Sequence, residues 1–213
     1  MRARGLALVA VMAGLVPVLA GCSGPAALNR DPGHVADPRT FQSSFDSVPA
    51  GRLPSGWSAD AGAWGVVDAS DAPSPQRALQ ASPGEGPARL WLPMEMASEF
   101  ELVVKVDTAP GAWVGVILGR FSNGAMTVVR VDPGGGRAEL VVVRDGVAEV
   151  RANRSFAPLE GWHAFGVAVE DGDVALTLDG QHVFDVEGYP DGSRIGLWAE
   201  GGARFDDLSG ETE

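Results

Sequence analysis

The amino-acid sequence predicts an all-β fold, a two-sheet antiparallel jelly-roll β-sandwich. Three observations predict it. Apolar residues recur with period two, as Phe100, Leu102, Val104 and Val106 do, which puts them on one face of a strand. Turn signals rich in Gly, Asp and Pro separate the apolar runs at short intervals. Twenty-nine glycines and fifteen prolines in 213 residues fit many turns and few long helices.

The elements follow in chain order. Arg2 and Arg4 precede an apolar run over residues 6–19, long enough for a signal peptide and short for a membrane span. The run ends in Leu19-Ala20-Gly21-Cys22, which matches the lipobox of bacterial lipoproteins. Small residues let the chain enter a peptidase cleft, and the Cys22 thiol accepts the acyl group. Residues 1–21 therefore read as a leader and Cys22 as the lipidated first residue of the mature chain. Cys22 is the only cysteine, so no intramolecular disulfide is possible, and lipidation accounts for an unpaired exported thiol. Several acyl chains, at about 0.8 kcal/mol per buried methylene, make a firm membrane anchor. The expected location is the bacterial cell envelope; Ser23 after the cysteine resembles outer-membrane cargo where the cell has two membranes. Residues 22–41 carry Pro, Ala, Gly and polar residues without periodicity and read as a flexible tether. His34 in this tether has no second His or Cys near it and reads as solvated filler.

Residues 42–213 read as the sandwich domain. Residues 63–67, 78–81 and 89–92 give three short strands between Pro- and Gly-rich loops. Residues 100–106, 113–121, 125–132, 138–144 and 147–151 follow, separated by Ser122-Asn123-Gly124, Pro133-Gly134-Gly135-Gly136 and Asp145-Gly146. Residues 162–170, 174–179, 182–186, 194–199 and 203–208 complete the set, with turns at Asp171-Gly172, Asp179-Gly180 and residues 188–193. About thirteen strands in one antiparallel sheet would curl or split, so two packed sheets are the natural solution.

Charge excludes one class of partner. The chain has sixteen Lys and Arg against twenty-eight Asp and Glu, and the leader holds two of the cations and none of the acids. A surface this acidic repels nucleic acid and anionic headgroups, so membrane attachment falls to the lipid. Arg outnumbers Lys fifteen to one, which reads as codon bias. There is no phosphate loop, no dinucleotide fingerprint, no Gly-x-Ser-x-Gly and no Cys-based metal site. No motif requires a cofactor.

Three blocks near the start, Phe45-Asp46-Ser47-Val48-Pro49, Leu53-Pro54-Ser55-Gly56-Trp57 and Gly62-Ala63-Trp64-Gly65-Val66, resemble the opening of bacterial concanavalin A-like lectin/glucanase domains. Gly161-Trp162-His163, Thr177-Leu178-Asp179-Gly180, Arg194-Ile195-Gly196-Leu197-Trp198 and Arg204-Phe205-Asp206-Asp207-Leu208 resemble later strands of the same family. The most similar group is the 3-keto-disaccharide hydrolase or LamG-like type, and the resemblance spans about residues 42–209. It implies a jelly roll with a curved sheet that meets glycans. Related retaining glucanases use Glu-x-Asp-x-x-Glu on one strand, with carboxyls about 5–5.5 Å apart. That spacing is absent here; Glu95, Glu99 and Glu149 do not supply it.

Candidate site residues follow from chemistry and placement. Trp113 and Trp198 lie in strands expected to line the curved sheet, where indole faces stack on sugars; large aromatics are equally at home in a core. Trp64 and Trp162 are expected to be mostly buried. Arg120, Arg130 and Glu200 offer forks and acceptors for sugar hydroxyls, or pair with one another as structural ions. Asp46 and Asp207 bracket the domain where first and last strands run side by side, a place for a structural Ca²⁺ or for plain solvated acids. The expected function is glycan binding without catalysis; the alternatives are a sugar-cleaving enzyme and a structural envelope protein with no small ligand.

Overall fold

The structure, a computed structural model of the chain, describes residues 40–74, 76–95, 99–187 and 194–212. Residues 1–39, with the expected leader, Cys22, His34 and most of the expected tether, and the turn read at 188–193 lie outside the described residues; Thr40 and Phe41, read as the end of the tether, instead begin the first strand, because Phe41 is buried in the core. The described residues form strands and no helix. In chain order these are β1 (Thr40–Ser43), β2 (Ser58–Ala61), β3 (Trp64–Ala69), β4 (Gln76–Ala81), β5 (Ala88–Glu95), β6 (Phe100–Thr108), β7 (Trp113–Arg120) and β8 (Met126–Asp132). There follow β9 (Arg137–Arg144), β10 (Val147–Ser155), β11 (His163–Glu170), β12 (Asp173–Leu178), β13 (Gln181–Val186), β14 (Arg194–Glu200) and β15 (Ala203–Thr212).

The strands make two antiparallel sheets, as expected of a jelly-roll sandwich. One has the order β13-β12-β11-β6-β15-β4-β3, with β1 also on β15. The other has the order β10-β9-β8-β7-β14-β5-β2. First and last strands are neighbours, Thr40 pairing with Glu211 and Ser43 with Leu208. The strands beyond the thirteen read from sequence are β1 and β2. Ser58-Ala59-Asp60-Ala61 has no large apolar residue, because it is an edge strand that buries little.

Local sterics make the hairpins. Asp145-Gly146, Asp171-Gly172 and Asp179-Gly180 all take positive φ, at 51°/78°, 53°/81° and 51°/73°. Those pairs suit the mirror-image two-residue turns whose twist matches that of the flanking strands. Alternation then sorts the side chains. Leu102, Val104, Val106, Phe165, Val167, Leu176 and Phe205 of the first sheet face Leu90, Val114, Val116, Leu118, Val129, Leu140 and Leu197 of the second across one continuous core. Trp57 closes this core, edge-on to Phe45 at 5.7 Å and tilted against Phe41 at 5.8 Å. Trp64 packs against the core and lies 5.5 Å from Phe205, while Trp162 covers a satellite cluster of Ala69, Ala72 and Ala78. Both rings are partly buried.

Candidate functional site

The second sheet has an apolar cluster on its outer face as well. It comprises Trp91, Ile117, Met126, Val128, Val141, Val143 and Trp198, all buried although they point away from the core. Ladder registers place them in rows. One row runs Val150, Val141, Val128, Ile117, Gly196 and Trp91 across β10, β9, β8, β7, β14 and β5. The next runs Glu139, Arg130, Gly115, Trp198 and Arg89. Two positions in these rows have space only for glycine. A Cβ on Gly196 would lie 2.6 Å from the Leu90 carbonyl oxygen and 3.0 Å from the Trp91 ring. A Cβ on Gly115 would collide with the Val129 carbonyl oxygen. Trp91 and Trp198 are 1% and 2% exposed.

Arginines surround this floor and stack on its tryptophans. The Arg194 guanidinium lies 4.7 Å from the Trp91 ring centre and Arg120 lies 6.0 Å from it. Trp113 is partly exposed and carries Arg130 at 4.4 Å and Arg137 at 4.8 Å. Most of these cations also hold acids. Arg130 donates to Glu139 Oε2 through Nε (3.0 Å) and NH2 (2.7 Å), and through NH1 to Glu200 Oε2 at 3.4 Å. Arg137 donates to the buried Asp132 at 2.6 Å. Arg89 and Arg120 donate to the two oxygens of Asp60, at 2.8 and 3.2 Å. Burial pushes the Asp60 carboxyl up. Hydrogen bonding from Arg89 and the nearby Trp91 indole, with the charges of Arg89 and Arg120, outweighs burial and holds it below the usual carboxylate range. The indole is close without making a bond of full hydrogen-bond geometry. Among the described side chains none is a carboxylate partner of Arg194, whose register neighbour on β5 is Glu95.

Five residues read from the sequence therefore share this face. Trp113, Arg130, Trp198 and Glu200 sit within adjacent rows of it, Glu200 opposite Trp113 and Trp198 opposite Gly115. Arg120 stands further along, at the Asp60 and Trp91 end. Trp198 forms part of the floor, and Trp113 is the ring nearer solvent. Trp91, Arg194, Asp60, Arg89, Arg137 and Glu139 belong to the same face and were not singled out from sequence. Their signal was the nearly unbroken apolar runs of β7, β8 and β9, which mark strands buried on both faces.

Asp46 and Asp207 lie elsewhere. Asp46 accepts the Arg77 backbone N–H at 3.2 Å, and Asp207 pairs with Lys105 at 2.9 Å. Asp206, next to Asp207 in the chain, is buried and accepts both the backbone N–H and the hydroxyl of Ser74, each at 2.8 Å. Among the described residues no three His, Cys, Asp or Glu come together as a metal-holding group. Asp46 and Asp207 are each engaged by a different protein donor. The two remaining described histidines are occupied by neighbours, His163 with Asp179 and the Glu160 carbonyl, His182 with Asp185.

No protein-family model and no curated protein matches the sequence. Solved structures match it in shape. The carbohydrate-binding module CBM66 from Bacillus subtilis superposes with a TM-score of 0.61 at 16% identity, covering 74% of this chain and 96% of that one. The apo Crh5 transglycosylase gives 0.55 at 13% identity, over 82% of this chain and 84% of that one. A prokaryotic β-1,3-1,4-glucanase (lichenase) from a mouse hindgut metagenome gives 0.53 at 12% identity, over 82% of this chain and all (100%) of that one. At such identities the likeness is one of fold: this chain has the jelly-roll sandwich on which a carbohydrate-binding module, a transglycosylase and a glucanase are each built.

Proposed function

We propose that the sandwich binds glycans, without catalysing their breakdown, on the outer face of the second sheet, and that Cys22 anchors it to a membrane of the bacterial envelope. The observation that carries the binding reading is convergence. Trp113, Arg130, Glu139 and Glu200 meet on one sheet face above a Trp91–Trp198 floor. Sugars present many hydroxyls on flat apolar rings. Their hydroxyls are matched by fixed guanidinium and carboxylate groups such as those around Trp113. The fold's likeness to a carbohydrate-binding module supports the same reading.

The alternative of a glycosidase needs one carboxylic acid kept protonated opposite a second carboxylate. Each acid described on this face is instead hydrogen-bonded to an arginine, and Asp60 is held on the ionised side. That arrangement positions groups for binding.

The test is binding of the purified chain to an array of bacterial and plant polysaccharides, beside Trp113→Ala. The substitution removes the ring that holds Arg130 and Arg137, so retention of the bound glycan is expected to fall roughly tenfold or more. If the chain retains no polysaccharide, or Trp113→Ala binds as the parent does, glycan binding at this face is wrong and the structural envelope role takes its place. Release of free sugar from the bound polymer would replace the binding reading with the enzymatic one.

A further inference from the structure

We propose that a cleft between β10 and β13 is a further subsite for the glycan, a pocket that takes the terminal sugar residue of a chain lying on the outer face of the second sheet. This rests on the glycan-binding reading of that face and specifies it: the polymer is recognised at its end.

β10 and β13, at the ends of the two sheet orders, adjoin each other. The cleft of about 270 Å³ lies where they meet, between the end of β10 with the loop after it and the β12–β13 hairpin. Small-ligand pockets run from roughly 300 to 1,000 Å³, so this space is on the scale of one sugar ring. Phe156, Leu159, Leu178 and Val183 give it an apolar lining. Phe156 and Val183 pack on the main core and Leu178 is buried, so the cleft is blind: its floor is the core, and a polymer cannot pass through it. Backbone holds both walls. The Phe156 N–H donates to the Gly136 carbonyl at 2.8 Å and the Leu159 N–H to the Pro133 carbonyl at 2.9 Å. A Cβ at position 136 would collide with the Phe156 carbonyl oxygen, so glycine lets the two loops close up. Across the cleft, the Asp179 N–H donates to the Ala164 carbonyl at 2.7 Å. The Asp179 carboxylate accepts the Ala164 N–H at 2.9 Å and meets His163 Nδ1 at 2.8 Å. A site held in shape before the ligand arrives avoids much of the ordering cost of binding.

The polar lining suits a sugar. Arg154 and Ser155 stand on the β10 side, Asp179, Gln181 and His182 on the hairpin side, and Asp185 holds His182 at 2.8 Å. Guanidinium, hydroxyl, carboxylate, amide and imidazole together offer donors and acceptors above an apolar floor. Arg154 and Asp179 carry opposite charges, which favours a neutral polyhydroxylated ring over an ion. Position then joins the cleft to the outer face. Ser155 pairs with Arg137 in the β10–β9 ladder, and the Pro133–Gly136 turn that holds Phe156 and Leu159 connects Asp132 to Arg137. The cleft thus begins one strand away from Arg137, which stacks on Trp113. A chain on the outer face reaches it by turning over the edge of β10, and the unit that enters a blind cleft is the last one.

The experiment measures retention of the purified chain on immobilised dextran, galactan, mannan and xylan, with the same polymers as soluble competitors, intact or after partial acid hydrolysis. Hydrolysis multiplies chain ends at constant sugar mass. The variants are Arg154→Ala and Gln181→Ala, both at exposed positions of the cleft, and Arg52→Ala, an exposed arginine of the loop after β1. Expected is that the hydrolysed competitor displaces the parent more strongly per unit mass, in step with its number of ends. Arg154→Ala and Gln181→Ala are each expected to weaken retention roughly fivefold or more and to abolish the advantage of the hydrolysed competitor, while Arg52→Ala changes neither. Equal or poorer competition after hydrolysis, with retention lost in Trp113→Ala alone, would keep the outer face and overturn the end pocket. An advantage of hydrolysed chains that survives both cleft variants would place end recognition elsewhere and overturn it too. No retention on any polymer would remove the glycan reading and this one together.

Discussion

At the residue scale, one end of the outer face of the second sheet depends on a carboxylate that stays ionised. Asp60 ties Arg89 of β5 to Arg120 of β7 across the Trp91 end of the floor. Its folded-state pKa is lowered by those arginines against the opposing effect of burial. A carboxyl depressed in the folded state adds stability above its unfolded value, near 3.9, and loses that contribution as pH falls through the folded value. Asp60→Asn is therefore expected to melt below the parent at neutral pH, with the gap closing under acid conditions. The tie is partly open to solvent, so its worth is about 0.2–1 kcal/mol. Thermal melts of both proteins from neutral to strongly acid pH check this, and a gap independent of pH would refute it. Asp206 shows the opposite sign. Burial, with the adjacent Asp207 charge, raises it against the hydrogen bonds from Ser74. Its contribution is complete at low pH and declines as pH rises.

At the element scale, the face exists because β14 and β7 each place a glycine between tryptophans. Gly196→Ala puts a methyl into the Leu90 carbonyl and the Trp91 ring, where backbone cannot yield without disturbing the ladder. A destabilisation of about 1–3 kcal/mol is expected, as for other overpacked sites. Chemical denaturation measures it, and an unchanged midpoint would mean that Trp91 moves aside freely. Legibility also differs from strand to strand. The alternation of β6 and β12 and the Asp-Gly turns were open to reading, because a strand with one polar face and a two-residue turn needing positive φ write their demands locally. β1 and β2 were not, since their pairing comes from β15 and β5, far along the chain. The apolar runs of β7 to β9 gave strands readily but concealed the second cluster. A run that is apolar at every position says that both faces are covered, without saying that one of them lies outside the sandwich.

At the scale of the whole molecule, the proposal joins a binding face to an anchor. A lipid-held module meets polymers at a surface, where many weak contacts to one chain reinforce each other. Cys22→Ala removes the only thiol in the sequence. Expressed in the cell, this variant is expected to leave the membrane fraction while keeping its fold, and mass spectrometry of the parent should show an acylated N-terminal peptide. A parent chain without acyl mass would refute the anchor and leave the binding face untouched.

The sequence by itself determined the class of fold, most of the strands and the hairpin turns, since period-two alternation and left-handed Asp-Gly pairs act over a few residues. It also brought Trp113, Arg120, Arg130, Trp198 and Glu200 forward as a group. Only the tertiary structure decided that these share an outer face with Trp91, Arg194 and Asp60, that Trp198 is floor, and that Asp46 and Asp207 are engaged by separate donors. The reason is physical. Alternation says that a strand has two different faces. Which arginine meets which indole is set by ladder register between β5, β14, β7 and β8, strands up to about a hundred residues apart in the chain.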